Sequence, residues 1–194
     1  MSTVAEKTLL TPEEFLALPD GVGFELIEGE LKERNVSVLS SWIGGKIVRL
    51  LGNFAEDSQL GWVFPADTGC QCFAQLPNTV RKPDVTFVRA DRLSAEQIGD
   101  GWLRLVPDLI VEVISPNDLW EELQAKLSLF RKAGVPLIWF VSPTARTVHV
   151  YRGDGSTALL HEDDELSGEG IIPGFACPVA AIFPPVIAEA APNP

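Results

Sequence analysis

The sequence predicts one α/β (α+β) domain built on a mixed central β-sheet, flanked by helices and extended by β-hairpins. Three observations predict it. Residues 105–115, LVPDLIVEVIS, are almost continuously apolar, as a central strand covered on both faces should be. Two amphipathic helical patterns stand apart in the chain, one before that strand and one after it. Hairpin signals occur near both ends, at residues 24–33 and 148–161. A length of 194 residues with 46% apolar content suits one ordinary domain with a real core. The 22% of charged residues and a mean hydropathy of +0.15 exclude disorder along the whole chain. The expected organisation is a flexible leader over residues 1–10, a single domain over 11–185 and a flexible tail over 186–194.

Taken in order, Thr11-Pro12-Glu13-Glu14 opens a short helix: Thr11 caps, Pro12 suits the first helical position and Glu14 closes a capping box. Residues 24–33, FELIEGELKE, read as a hairpin turning at Glu28-Gly29. Val38, Leu39, Trp42, Ile43, Ile47, Leu50, Leu51 and Phe54 recur at helical spacing, and Gly44-Gly45 inside that helix marks a point of close packing. Strands are expected at 62–65, 70–75 and 80–88, then a polar, partly helical connection at 91–102, then the central strand. Residues 118–133 form the second long helix, with Asp118 and Glu121 as a capping box and Gly134 as its stop. Residues 136–142 are a further buried strand. The hairpin at 148–161 turns on Gly153-Asp154-Gly155-Ser156, and the closing segment is IIPGFACPVAAIF.

No apolar run approaches the roughly 18 to 20 residues that span a bilayer, and the N-terminus does not read as a signal peptide. Three cysteines, Cys70, Cys72 and Cys177, make no disulfide framework, and a cytoplasmic, reduced setting is expected. A zinc site built from these cysteines with His149 and His161 fits no common spacing. No glycine-framed serine and no phosphate-cradling glycine loop is present.

The informative residues are polar ones in core positions. By strand alternation, Asp108, Ile110, Glu112 and Ile114 share one face of the central strand, so Glu112 lies between two isoleucines. A buried ionised carboxylate without a partner costs several kcal/mol, so either the strand ends before Glu112 or Glu112 is a buried salt-bridge partner, a metal ligand or a catalytic carboxylate. Asp84, in RKPDVTFV, follows a proline at a strand start and either simply opens that strand or joins the same chemistry. Lys126 falls inside the apolar arc of the second helix, at about 340° when Leu119 is taken as zero. It either snorkels, pairs with Glu122 one turn back, or holds its ammonium over the sheet. Two carboxylates on neighbouring strands plus a lysine suit phosphodiester hydrolysis assisted by one or two Mg²⁺ ions.

At these residues the sequence also resembles a known family. The ordered segments FELIEGEL, RKPDVTFV, PDLIVEVISPND, KLSLFRKAGVPLIWFV, VHVYR, IPGF and IF, from about Thr11 to Phe183, look like the Uma-two family of restriction-endonuclease-like proteins, within the PD-(D/E)XK nuclease superfamily. The resemblance implies a restriction-endonuclease-like mixed sheet flanked by helices. It implies Asp84 and Glu112 as the metal-binding acids, Mg²⁺ or Mn²⁺ as cofactor, and DNA as substrate. The chain departs from the superfamily pattern at Ile114, where a lysine would stand; Lys126 matches the displaced lysine. The resemblance also offers Glu25 as a further acid. Asp108 lies about 13 Å along the strand from Glu112 and reads as the residue that opens the strand.

The leading reading is a metal-dependent DNA endonuclease with Asp84, Glu112 and Lys126 as catalytic residues. Its rival is a non-catalytic module of the same fold for DNA binding or protein interaction. A homodimer is expected, and the apolar stretch PVAAIFPPVIAEAA offers a pairing surface. A net charge of −12 disfavours a non-specific nucleic-acid coater, but the charge is uneven. Residues 1–30 and 151–194 each carry one basic and seven acidic groups, whereas 31–150 carry 13 of each sign. The middle holds basic clusters at Lys46/Arg49, Arg81/Lys82 and Arg131/Lys132, so DNA binding is expected to be weak, salt-sensitive and dependent on divalent metal.

Overall fold

The computed structural model of the protein describes residues 9–185, so the expected tail at 186–194 and most of the expected leader lie outside the described residues. Leu10 is described. Its N–H donates to the Gly29 carbonyl, and its side chain packs against Phe15, Leu26 and Val80.

Helix α1 (Pro12–Leu16) begins with the expected capping box between Thr11 and Glu14. Strands β1 (Phe24–Ile27) and β2 (Glu30–Glu33) pair antiparallel across Glu28 and Gly29, both with positive φ, as a two-residue hairpin turn requires. Helix α2 (Val38–Asp57) buries Ile43, Ile47, Leu51 and Ala55 on one stripe, and a Cβ at Gly44 would stand 3.7 Å from the Asp84 Cβ. The main sheet holds β3 (Gly61–Pro65), β4 (Val85–Arg89), β5 (Leu109–Val113), β6 (Leu137–Ser142), β7 (Thr147–Arg152) and β8 (Thr157–Leu160), side by side in that order. Only β5 and β6 run parallel, and helix α3 (Trp120–Ala133) makes the crossover between them. A short antiparallel pair, β9 (Glu165–Ser167) and β10 (Ala176–Pro178), closes the chain.

The sheet has two covered faces. Val85, Phe87, Leu109, Val111, Val113 and Trp139 meet α2 and the closing segment. Ile110, Ile138 and Phe140 meet Leu123, Leu127 and Phe130 of α3. Each such fully buried side chain contributes roughly 1.5–3 kcal/mol. The alternation expected for the central strand holds, and it puts Glu112 on the α3 face.

Four local expectations are corrected. Residues 70–75 form no strand: Cys70 makes isolated bridges to Arg81 and Leu103, and Phe73 then drops under α3. The run 80–88 is interrupted, because Pro83 lacks an N–H and Asp84 turns its carboxylate onto a neighbouring strand, so the ladder begins at Val85. The central strand is shorter than its apolar run, five residues beginning after Pro107-Asp108. The capping box at Asp118 does not form. Leu119 is the N-cap, and Asp118 instead accepts the Ser115 N–H at 2.8 Å. The C-terminal stop is as expected, with Gly134 left-handed at φ 88°. Val179, Ile182 and Phe183 are buried in the core, so that part of the apolar closing stretch is not free to form a pairing surface. Among the described residues no helix is long and apolar enough to cross a membrane.

Two glycines should respond oppositely to alanine. A Cβ at Gly61 would stand 2.2 Å from the Val88 carbonyl oxygen, a backbone atom that cannot step aside, so Gly61→Ala should cost about 3 kcal/mol. Gly45, exposed inside α2 with nothing within 4 Å of its Cβ position, should gain about 0.5–1 kcal/mol as alanine. Urea unfolding of both variants checks the pair; equal midpoints would contradict the packing described.

Candidate active site

One pocket, about 320 Å³, opens between the β1–β2 hairpin, the ends of β4 and β5, and the first half of α3. Asp84, Glu112 and Lys126 all line it. Their meeting follows from register and handedness. The antiparallel pairing Phe87↔Leu109, Thr86↔Ile110, Val85↔Val111, continued one step, sets Asp84 opposite Glu112. Asp84 Oδ2 accepts the Val113 N–H at 2.7 Å, which ties it to β5. The crossover helix lies on the face toward which Ile110 and Glu112 point, and Lys126 sits midway along it.

Lys126 neither snorkels nor pairs with Glu122. Its Nζ donates to Glu112 Oε2 at 2.8 Å, with side chains 22% and 7% exposed. Glu122 pairs with Lys32 of β2, holding hairpin to helix. The other carboxylate oxygen, Glu112 Oε1, is buried and has no hydrogen-bond partner. Burial pushes the Glu112 carboxyl up from its ordinary 4.5 to about 7; Lys126 opposes this, while Asp84 and Glu25 add to it. Burial alone would lower the Lys126 ammonium, but Glu112 and Glu25 outweigh it and hold it above its ordinary value. Burial also raises Asp84, against the pull of the Val113 N–H, Lys126 and Arg34.

Glu25 lines the same pocket, but both its oxygens are engaged. Arg81 Nη1 donates to Oε2 at 2.9 Å and the Lys82 N–H to Oε1 at 2.7 Å. Burial works to raise its carboxyl, but Lys126, Arg81 and the Lys82 N–H hold it below the ordinary value. Asp108 stays outside the pocket; it accepts the Arg89 N–H at 3.0 Å and Arg92 Nη1 at 2.7 Å, the work of a residue that opens a strand. Arg81 and Lys82 are not the surface cluster suggested by their charge. Both are buried; Lys82 donates to the Gly21 carbonyl at 2.8 Å and lies 5.0 Å from the Phe15 ring centre. Sequence reasoning missed Arg34, whose Nη2 stands 3.6 Å from Asp84 Oδ1. Lying next to a strand and outside any periodic pattern, it left no signal.

The donors suit a hard, hydrated cation. Glu112 Oε1 is a bare buried carboxylate oxygen, and Asp84 Oδ1 has only the distant Arg34. Mg²⁺ is commonly held by one or two carboxylates while keeping several waters. Among the described residues no group of three or more His, Cys, Asp or Glu converges as a metal cage.

A mixed sheet with one parallel crossover, flanked by helices, carries this pocket at its strand ends. The Uma2 family model, described as "Putative restriction endonuclease", matches residues 12–180, and the chain belongs to that family. A crystal structure described as a "putative nuclease belonging to DUF820", from Anabaena variabilis ATCC 29413, is similar in fold. Its TM-score is 0.75 at 21% identity, over 90% of this chain and 97% of that one. No curated protein matches.

The raised Glu112 carboxyl has a stability consequence. Between pH 4.5 and about 7 the unfolded chain has lost a proton that the folded chain keeps, so through this group stability falls as pH rises across that window. Glu112→Gln cannot titrate and should flatten this part of the profile; Lys126→Met should extend the window upward. Melting temperatures measured from pH 4 to 8 decide it, and a Gln variant parallel to wild type would contradict the assignment.

Proposed function

We propose that the protein is a metal-dependent DNA endonuclease that hydrolyses phosphodiester bonds at this pocket. Asp84 and Glu112 hold Mg²⁺ or Mn²⁺, and Lys126 serves the attacking water. The observation that carries the reading is Glu112 itself. It is buried in the central strand, with one oxygen on Lys126 and the other without a hydrogen-bond partner, and it lines a pocket that Asp84 also lines. A purely structural ion pair needs no bare oxygen and no second carboxylate beside it.

A bound divalent cation would polarise the phosphoryl group and lower the pKa of water. The chain's own residues do the rest. Asp84 is locked onto β5 by the Val113 N–H, so its free oxygen keeps a fixed direction. Lys126 holds Glu112 in one rotamer and keeps a positive charge at the pocket wall, where negative charge develops as the phosphate is attacked. The β1–β2 hairpin, held to α3 by Lys32 and Glu122, forms the opposite wall. The proposed setting is the cytoplasm. The net charge of −12 makes the proposed DNA binding weak, and its reliance on Lys and Arg contacts to phosphate makes it sensitive to salt. A homodimer is part of this proposal, to be tested by light scattering.

The direct Lys126–Glu112 pair is also what a non-catalytic module of this fold would keep, and the same experiment separates the two. Purified protein should cut plasmid or single-stranded DNA with Mg²⁺ or Mn²⁺. Lys126→Gln should slow cleavage by about 10²–10⁴-fold. Mn²⁺ at 100 times its dissociation constant should stabilise wild type by about 2.7 kcal/mol and leave Glu112→Ala unchanged. A protein that cuts neither substrate and whose melting temperature ignores both metals is the non-catalytic module instead.

A further inference from the structure

Five basic side chains line the pocket: Lys32, Arg34, Arg81, Lys82 and Lys126. Four are committed. Lys32 is paired with Glu122, Arg81 with Glu25 and Lys126 with Glu112, while Lys82 donates to the Gly21 and Val22 carbonyls. Among the described residues Arg34 is the exception, because no hydrogen bond satisfies its guanidinium nitrogens. Its nearest anion, Asp84 Oδ1, stands at 3.6 Å, beyond hydrogen-bond reach. The side chain is 12% exposed and none of its nitrogens is sealed from solvent, so its donors are open to an incoming ligand. Its backbone is anchored, with its N–H donating to the Gly23 carbonyl at 3.0 Å just beyond β2.

A guanidinium with open donors matches an anion that presents two oxygens at one spacing, and the two anions that do this well are carboxylate and phosphate. Of the pocket's carboxylates, only Asp84 stands within 4 Å of the Arg34 guanidinium. We propose that Arg34 is the substrate-positioning residue of this site. Its guanidinium takes the non-bridging oxygens of a backbone phosphate of a nucleic-acid strand laid beside Asp84. The assignment rests on the nuclease reading above and adds to it the group that grips the strand. Loose pairing with Asp84 fits this role: once a cation takes Asp84 Oδ1, Arg34 is released to the phosphate. Seven acidic groups line the pocket against these five basic ones, so the grip needs a divalent ion or low salt to be felt.

The test is fluorescence anisotropy of a labelled single-stranded oligonucleotide with Ca²⁺ and with EDTA, on wild type, Arg34→Gln and Arg34→Lys, each checked for folding by thermal melting. Arg34→Gln should bind about tenfold more weakly, and the slope of log affinity against log salt should shrink by about 0.7. Arg34→Lys should keep the slope and lose part of the affinity, since a point charge cannot grip two oxygens. Inorganic phosphate should compete with the strand on wild type and not on Arg34→Gln. The proposal is overturned if Arg34→Gln binds with wild-type affinity and slope, if wild type binds no oligonucleotide, or if phosphate binds where the strand does not. Should Arg34→Gln fail to fold, a lysine variant indistinguishable from wild type overturns it. Cleavage with Mn²⁺ separates this idea from the nuclease reading. Loss of cleavage with the binding difference intact sinks only the activity; unchanged KM and binding in Arg34→Gln sink only the positioning role.

Discussion

A carboxylate in the middle of the most apolar strand is the constraint around which this molecule is arranged. Glu112 sits where the sheet is covered on both faces, and burial alone would force it to stay protonated. Lys126 relieves that cost from the helix above, and the ion pair ties crossover to sheet at the point where β5 ends. Removing either partner takes away the counter-charge that offsets the other's burial, which is the expensive outcome for a buried pair. The neighbouring acids follow from the same arrangement. Asp84 is held by a β5 amide, and Glu25 is neutralised by Arg81 and by the amide of Lys82.

Around that centre the fold divides its labour. The α2 face, with the closing segment drawn over it, is wholly apolar and supplies most of the core. The α3 face is apolar where Leu123, Leu127 and Phe130 pack, and turns polar where Glu112 emerges. The hairpin β1–β2 belongs to no large sheet. It closes the polar half of that face and contributes Glu25, Lys32 and Arg34 to the pocket wall. Lys82, buried beside Phe15 and Trp102 and bound to two carbonyls, fastens the turn before β1 to the body of the protein.

Much of this was legible in the residues. The helix patterns, both hairpins, the glycine stop after α3 and the alternation of β5 follow from local periodicity and turn chemistry, which depend on near neighbours. The expectations that failed did so where a distant group outbid a local rule. The 80–88 run loses its first half because Asp84 bonds to Val113, and Asp118 caps the Ser115 turn rather than the helix it precedes. Arg81 and Lys82 looked like a surface cluster because adjacency in sequence says nothing about depth.

The sequence by itself determined that Glu112 and Lys126 are out of place in an apolar strand and an apolar helix arc, and that one domain of mixed sheet must hold them. That much follows from polarity and period alone. Which groups they meet was decided by tertiary structure. The antiparallel register of β4 against β5 sets Asp84 opposite Glu112, and the crossover places Lys126 above them. The hairpin then brings Arg34 to the rim with its donors open. Register and crossover hand are properties of pairings between segments far apart in the chain, and no window of sequence contains them.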